Sequence, residues 1–433
     1  MLGSSRVLLI NPPLVDLRIP WANWIEPTGL LKIGAVLREQ GTDVRLLDCF
    51  QSAPLRRQLD AVVHRDGHPL NRWRYGLRTI DMTRALRALS ASGWPPDHVF
   101  ITTLTSVWWR GAPLAAASVR NVFPRATVTL GGGYTAQAPA HAALHGGADH
   151  VGDVALEAAA ASRVAAYDLY EGRISVATLT DLGALGVEGA MATVDAAVAR
   201  GATRIHLADH GLAARDPALL TALLERLSGV YPRTRLHVLG SIGARDIAAW
   251  PELPGLLRAA RCRQIVLSDN RDYPADAAGA EGFVEEARRA TAHVAAAGFR
   301  VRSDDYAVEM SVGRPGETPD AAARLLARLV PVAGSVIPVP YEPTLREIDA
   351  DDPWEINGKL FPLAARNGST FGAYMELLGL CALTNAKHRT LTFDFAADST
   401  VARSLRRALK ERAWVPEHSG SPRPLRVVDT IGR

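Results

Sequence analysis

The residues best equipped for chemistry fall at three strand ends. Ala126-Thr-Val-Thr-Leu-Gly-Gly-Gly-Tyr-Thr-Ala-Gln-Ala-Pro139 is a β-branched run that stops at Gly131, Gly132 and Gly133 and passes through Tyr134 and Thr135 to a proline. Glycine reaches positive φ and carries no Cβ, so the backbone there can lie close against a flat or phosphorylated ligand. Arg6-Val-Leu-Leu-Ile10 ends in Asn11, Pro12 and Pro13, a rigid turn. His98-Val-Phe-Ile-Thr-Thr103 runs into Thr105, Ser106, Trp108 and Trp109, two hydroxyls beside two indoles. Hydroxyls can hydrogen-bond a ligand's edge and an indole can cover its face.

The elements that must position these ends read as alternating strands and helices. Strands at 6–10, 44–49, 98–103, 126–130 and 150–153 are separated by helical spacing at 29–40, 79–92 and 112–121, the signature of βαβ units and a parallel sheet. In a flavodoxin-like (Rossmann-like) order the first, third and fourth strands are neighbours, and ligands bind at their carboxyl ends beside the switch point. Residues 50–78 are polar, Arg-rich and read as a loop. Beyond an Ala-rich connector, strands near 173–177, 204–208, 235–239, 263–267 and 306–311 alternate with helices, which predicts a full or partial α/β barrel of the TIM type. The expected units are 1–157, 158–345 and a mainly helical C-terminal segment, 346–433. In that segment 354–361, 373–387 and 403–412 read as helices, the acidic run Asp349 to Asp352 as a solvated loop, and 416–424 as mobile.

Composition narrows the function classes. In 433 residues, 48% hydrophobic and 22% charged, the net charge of +4 is spread thinly. Without a Lys/Arg block, nucleic acid and membrane surfaces are not expected partners. With no signal peptide and no apolar run of 18 residues, a cytoplasmic protein is the expectation. The three cysteines, Cys49, Cys262 and Cys381, are too few and too far apart for a disulfide framework or a C-x-x-C site.

Arg6 to Pro13, Thr28-Gly-Leu-Leu-Lys-Ile-Gly-Ala-Val-Leu37, Val44 to Cys49, Val128 to Pro139 and Asp149-His-Val-Gly-Asp-Val-Ala-Leu-Glu157 together resemble the cobalamin-binding domain of cobalamin-dependent radical SAM proteins. Gly313-Arg-Pro-Gly-Glu-Thr-Pro-Asp320 and Pro338-Val-Pro-Tyr-Glu-Pro-Thr344 are similar to that family's Gly-x-Pro-Gly-Glu-Thr turn and Tyr-x-Pro-x-Gly-Thr segment. Taken bare, the first string is a turn and a helix start capped by Thr318. The resemblance covers roughly residues 5–345. It implies a cobalamin cradled by Asn11, Pro12, Thr105, Ser106, Trp108, Trp109, Gly131, Gly132, Gly133, Tyr134, Thr135 and Gly152. Trp108 or Trp109 would lie over the corrin, and Gly132 is where a bulky side chain would exclude the ligand. The family's Gly-Glu-Gly-Glu reads Gly152-Asp-Val-Ala155 here, and the Asp-x-His-x-x-Gly signature of histidine-ligated cobalamin is absent. The implied cofactor is therefore base-off with no protein histidine beneath the cobalt. Were a histidine to ligate, His98 and His141, both expected near the sheet edge, are the first candidates.

The family's C-x-x-x-C-x-x-C cluster motif is missing, since the matching stretch Ser175 to Gly186 contains no cysteine. Iron–sulfur clusters require thiolates, so no cluster and no radical cleavage of S-adenosylmethionine are expected, although that molecule could still bind. The leading expectation is a non-radical cobalamin-dependent enzyme that transfers a methyl group to a small molecule. Asp209, His210, Asp269, Tyr306 and Glu309 are the acid–base candidates, and no protein metal ligands are expected. The alternatives are a cobalamin-binding pseudoenzyme that assists a protein partner and, more remotely, a nucleotide-sugar transferase.

Overall fold

The computed structural model describes residues 5–17, 26–50, 57–268, 271–301 and 305–387. The chain is a mixed α/β protein with two parallel sheets, a small antiparallel sheet, and a helix, Phe371–Lys387, at the end of the described residues. In chain order the strands are β1 (Arg6–Asn11), β2 (Leu14–Asp16), β3 (Asp43–Asp48), β4 (Arg57–Arg65), β5 (His68–Tyr75), β6 (His98–Thr103), β7 (Thr127–Gly132) and β8 (His150–Val151). They continue with β9 (Val176–Leu179), β10 (Arg204–Leu207), β11 (Arg235–Gly243), β12 (Cys262–Ser268), β13 (Tyr306–Val312) and β14 (Val336–Pro340).

The first sheet has the order β3-β1-β6-β7-β8, with every pairing parallel. β1 sits inside it, which is why its apolar run is unbroken: both faces are covered. Val7 and Leu9 pack with Leu30 and Leu37 of the helix Thr28–Glu39 on one face. Leu8 and Ile10 pack on the other with Met82 and Leu86 of Thr79–Ala91 and Ala112, Ala115 and Val119 of Gly111–Val122. The chain leaves β1 towards β3 in one direction and towards β6 in the other, so the sheet order reverses between β1 and β6.

The second sheet runs β14-β13-β12-β11-β10-β9, again all parallel and in sequence order. Its strands alternate. Leu179, Ile205, Leu207, Val238, Ile265, Leu267, Val308, Met310 and Val312 join the main core beneath the helices. The intervening positions, which point to the opposite face, include a polar set, Thr178, His206, His237, Gln264, Glu309 and Ser311, beside apolar Val266 and Ala307. Register places Thr178, His206, His237 and Gln264 side by side across four strands.

Three sequence expectations change. Residues 57–75 form a β-hairpin, paired on β2. Its turn is Asp66-Gly67, both at positive φ (47° and 78°), the Asp-Gly pair that matches the twist of a two-residue hairpin. Charged side chains on an exposed hairpin hid the period-two pattern. Residues 354–361 are turns with one short 3-10 segment, Gly358–Leu360, because Asn357 and Lys359 are drawn into a buried ionic contact described below. The expected strand at 173–177 lies two to three residues later. Asp269, the helix expected at 403–412 and the segment 416–424 lie outside the described residues.

Among the described residues one helix, Leu182–Ala199, is long and apolar enough to cross a membrane by length and composition, with mean hydropathy 1.3. It bends at Gly186 (φ 67°, ψ 177°) and buries Leu182, Leu185, Met191 and Val194 in the main core.

Candidate functional site

The glycine run ends β7 and opens the short helix Gly133–Gln137. Gly132 has φ 87°, and a Cβ there would stand 2.6 Å from both Thr102 Oγ1 and Thr103 O; one on Gly133 would stand 2.2 Å from Leu104 O. These glycines are required by the chain's own packing, because the end of β7 lies directly on the loop that leaves β6. The expectation that Gly132 is a probe of ligand contact is corrected accordingly: a bulky residue there would disrupt the fold before it could report on a ligand. Gly152 differs. At φ 74° its Cβ position meets nothing within 4 Å, so this glycine borders open space. Glu157 Oε1 accepts from Gly132 N at 3.2 Å, placing a carboxylate at the glycine turn.

Beside this turn, Thr103 Oγ1 and Ser106 Oγ are buried side-chain oxygens without a hydrogen-bond partner. Asn11 Nδ2 donates to Asp48 Oδ1 at 2.7 Å, Pro12 is buried, and Thr135 Oγ1 donates to Gly132 O at 2.8 Å. Tyr134 is fully buried in the core. Burial raises its phenol above the ordinary range, and its Oη lies 2.7 Å from His141 Nδ1.

The two tryptophans are both anchored, by different carboxylates. Trp108 Nε1 donates to Asp16 Oδ2 at 2.9 Å, and Trp109 Nε1 to Asp352 Oδ1 at 2.9 Å. Trp109 stacks on Tyr134 with ring centroids 6.2 Å apart and meets His141 edge-on at 4.7 Å. Burial and the neighbouring His145 lower the pKa of His141. His98 starts β6, an interior strand between β1 and β7, and so stands at the amino end of the sheet and not near its edge as expected.

Asp352 belongs to the acidic run read as solvated. It also accepts from Arg110 Nη2 at 2.9 Å, so this segment is clamped to the first sheet. Asp16 is the second clamp: fully buried, it accepts from Asn357 Nδ2 at 2.9 Å and pairs with Lys359. Thr105 Oγ1 donates to Glu342 Oε1 at 3.3 Å. Glu342 follows β14 directly and Thr105 follows β6, so groups just past the carboxyl ends of the two parallel sheets meet.

A further contact ties the helix Thr28–Glu39 to the second sheet. Lys32, 2% exposed, donates to Asp181 Oδ2 at 2.9 Å and to Thr180 O at 3.3 Å, just past β9. Nearby, Glu26 accepts from the Tyr167 hydroxyl and from Thr178 N at 3.1 Å. Burial pushes its carboxyl up to about 7, against the lowering effect of these hydrogen bonds.

Of the four acid–base candidates among the described residues, Asp209 and Tyr306 are committed to structural contacts. Asp209 accepts from Leu182 N at 2.6 Å, at the start of the helix Leu182–Ala199, and pairs with Arg215, so both its oxygens are engaged. His210, next in the chain, is exposed. Tyr306 begins β13, faces the helix layer and shares a 2.8 Å hydrogen bond with Thr291, a core role at the amino end instead of the expected barrel mouth. Glu309 lies mid-strand, its carboxylate against Gly240. Sequence reasoning missed His206 and His237, whose rings stand 5.6 Å apart; burial and the second histidine push the pKa of His206 down to about 3, so it is neutral. Their signal was a period-two match, His206 and His237 each flanked by outward-facing aliphatics.

The Gly313-Arg-Pro-Gly-Glu-Thr string has a structural account. Glu317, 2% exposed, accepts from Gly313 N at 2.9 Å and from Arg314 Nη2 at 3.0 Å, and Thr318 caps the next helix through Ala321 N at 3.2 Å. Cys49 lies in the first sheet's core, while Cys262 and Cys381 lie in the main core, all buried. Among the described residues no group of three His, Cys, Asp or Glu is arranged to hold a metal ion.

No family model matches this chain, and no curated protein does. Among solved structures, a psychrophilic glycoside hydrolase family 10 endo-beta-1,4-xylanase is similar over 67% of this chain and 82% of its own, at 10% identity and a TM-score of 0.19. A likeness that slight carries no argument about fold or activity.

Proposed function

We propose that the first sheet is a flavodoxin-like cobalamin-binding unit docked on a partial α/β barrel of the radical SAM type, and that the chain is a cobalamin-dependent protein that works without an iron–sulfur cluster. The observation that carries this reading is the Thr105–Glu342 contact: a ligand lying over the carboxyl ends of the first sheet would look directly onto the carboxyl ends of the second. The strand order, reversing between β1 and β6, supplies the crevice expected for a large ligand in an open parallel sheet.

The residues present suit a flat, amide-rich ligand. Two buried hydroxyls, Thr103 and Ser106, lack partners that an amide could supply. Gly152 leaves an open flank. The Gly132 N–H, which a diphosphate would need, is taken by the Glu157 carboxylate; that speaks against the nucleotide-sugar reading, because anion would face anion. When bound, cobalamin supplies a transferable methyl group. The chain's part is to hold the ligand base-off, without imidazole, beside indoles fixed by Asp16 and Asp352.

A second reading is favoured by one observation. Asp209 is engaged by a helix end and an arginine and Tyr306 faces the helix layer, so these two of the acid–base candidates are committed elsewhere. A cobalamin carrier that serves a partner enzyme needs no such set. Methyl transfer by the purified chain supports the enzyme; transfer only after a partner is added supports the carrier.

The test of cobalamin binding is reconstitution with hydroxocobalamin. The wild type should retain it stoichiometrically through gel filtration, and its cobalt(II) form should show no nitrogen superhyperfine splitting by electron paramagnetic resonance. Gly152→Asn, a residue that tolerates the positive φ of 74° far better than a β-branched one, should weaken retention about tenfold or more while the melting temperature, measured alongside, shows that the fold is kept. Wild-type protein that emerges colourless would overturn the proposal; splitting from an axial nitrogen would overturn the base-off assignment.

A further inference from the structure

At the other end of the second sheet lies a feature that cobalamin chemistry does not use. An open cleft of about 570 Å³ is lined by Pro232, Arg233, Thr234, Arg235, Arg258, Arg261, Cys262 and Arg263. β11 begins at Arg235 and β12 at Cys262, so this is the amino-end face of the sheet. Five arginines from two segments line it, and the lining contains no carboxylate.

In this molecule that is unusual. Arginines elsewhere are commonly paired, as Arg72 and Arg74 are with Asp60, or Arg314 with Glu317. None of the five takes part in an ion pair or side-chain hydrogen bond among the described residues. The guanidinium of Arg258 instead lies 5.0 Å from the centre of the Phe299 ring, and the nearby Asp305 is bound by Arg300 at 3.0 Å. Five like charges held around one concavity repel one another, and a bound anion removes that repulsion.

Arg261 supplies an independent observation. It follows the helix Leu253–Ala259 and its C-cap Ala260, and it adopts φ 59°, the left-handed conformation that glycine ordinarily fills after a helix. A long cationic side chain is kept where a residue with no side chain would be favoured, at the rim of the cleft. Backbone strain of this kind persists where something else requires the residue.

We propose that this cleft binds a small, multiply phosphorylated anion. Guanidinium groups match phosphate oxygens in paired hydrogen bonds, and several of them around a cleft of this size suit a chain of two or three phosphates. The lining comes from two short segments only, a footprint suited to a small molecule more than to a nucleic-acid strand. The inference does not depend on the cobalamin reading, since the cleft lies at the opposite ends of β11 and β12 from the carboxyl-end junction.

The experiment is calorimetric titration of the full chain with sodium tripolyphosphate, ATP and a single-stranded oligonucleotide, at low and high potassium chloride. Tripolyphosphate should bind one to one and weaken with salt. Equal affinity for ATP would mean that the phosphate chain alone is read, and tighter ATP binding would add a contact to the base; both support the proposal. Arg261→Gly removes one guanidinium while relieving the backbone, so it should melt at or above the wild-type temperature yet bind about tenfold more weakly. Arg235→Gln/Arg263→Gln should lose binding further, whereas Arg324→Gln, on an exposed helix face elsewhere, should bind as wild type does. No binding of tripolyphosphate, binding unchanged in Arg261→Gly, or an oligonucleotide that tripolyphosphate cannot displace would each overturn the proposal.

Discussion

The carboxyl-end junction and the amino-end cleft treat charge in opposite ways. At the junction, Asp16 is fully buried, but Lys359, Asn357 and Trp108 all answer it, and Asp352 is held by Arg110 and Trp109. Residues more than 240 positions apart are joined this way. At the amino-end cleft, five arginines stand together with no acid to answer them. Charge balanced within the chain fixes the relation between segments. Charge left unbalanced on a concave surface is available to something outside the chain.

The largest effect that would sharpen this contrast is at Asp16. Asp16→Asn leaves Lys359, whose side chain is 25% exposed, without its counter-charge, and such a loss lies at the lower end of the range for a broken buried pair, about 3 kcal/mol. Urea denaturation should show it as a fall in midpoint. A change of a few tenths would break the comparison, because the junction charges would then be incidental.

Glu26 shows a third treatment of charge, neutralisation by a proton. Its carboxyl is raised to about 7 by burial, whereas in the unfolded chain it titrates near 4.3. Between those values the folded state holds the proton that the unfolded state gives up. Stability is therefore fully present below about pH 4 and declines as the pH rises towards and through 7, by a total of about 3 kcal/mol. Glu26→Gln, which stays neutral, should flatten that decline when melting temperature is followed from pH 5 to 8. A parallel decline in the variant would place the titration elsewhere.

The smallest effect is at Trp109. Trp109→Phe keeps the aromatic contact with His141 and loses the indole hydrogen bond to Asp352, worth about 1 kcal/mol. A double-mutant cycle with Asp352→Ala, which removes the acceptor, should return a coupling energy of that order. Additive single effects would show that this clamp does not hold the C-terminal segment.

Much of the first sheet was legible because its strands are short apolar runs interrupted by helical spacing, and a parallel sheet covered on both faces demands such runs. The second sheet was legible from the same alternation, although its inward row was not: Thr178, His206, His237 and Gln264 are scattered in sequence and meet only through strand register. The hairpin at 57–75 carried its Asp66-Gly67 signal in plain view, and the polar residues around it obscured the reading.

Sequence alone determined the α/β class, the strand-end positions of Asn11, Thr105, Ser106 and the glycines, and the cap at Thr318, which acts within three residues of itself. These are local matters of periodicity, turn chemistry and capping. Only the tertiary structure decided that Gly132 serves internal packing, that Asp16 meets Lys359, that Tyr306 faces the helices, and that five separated arginines form one cleft. The physical reason is that charge and close packing act through space, over a few ångströms, between residues whose separation along the chain carries no information about it.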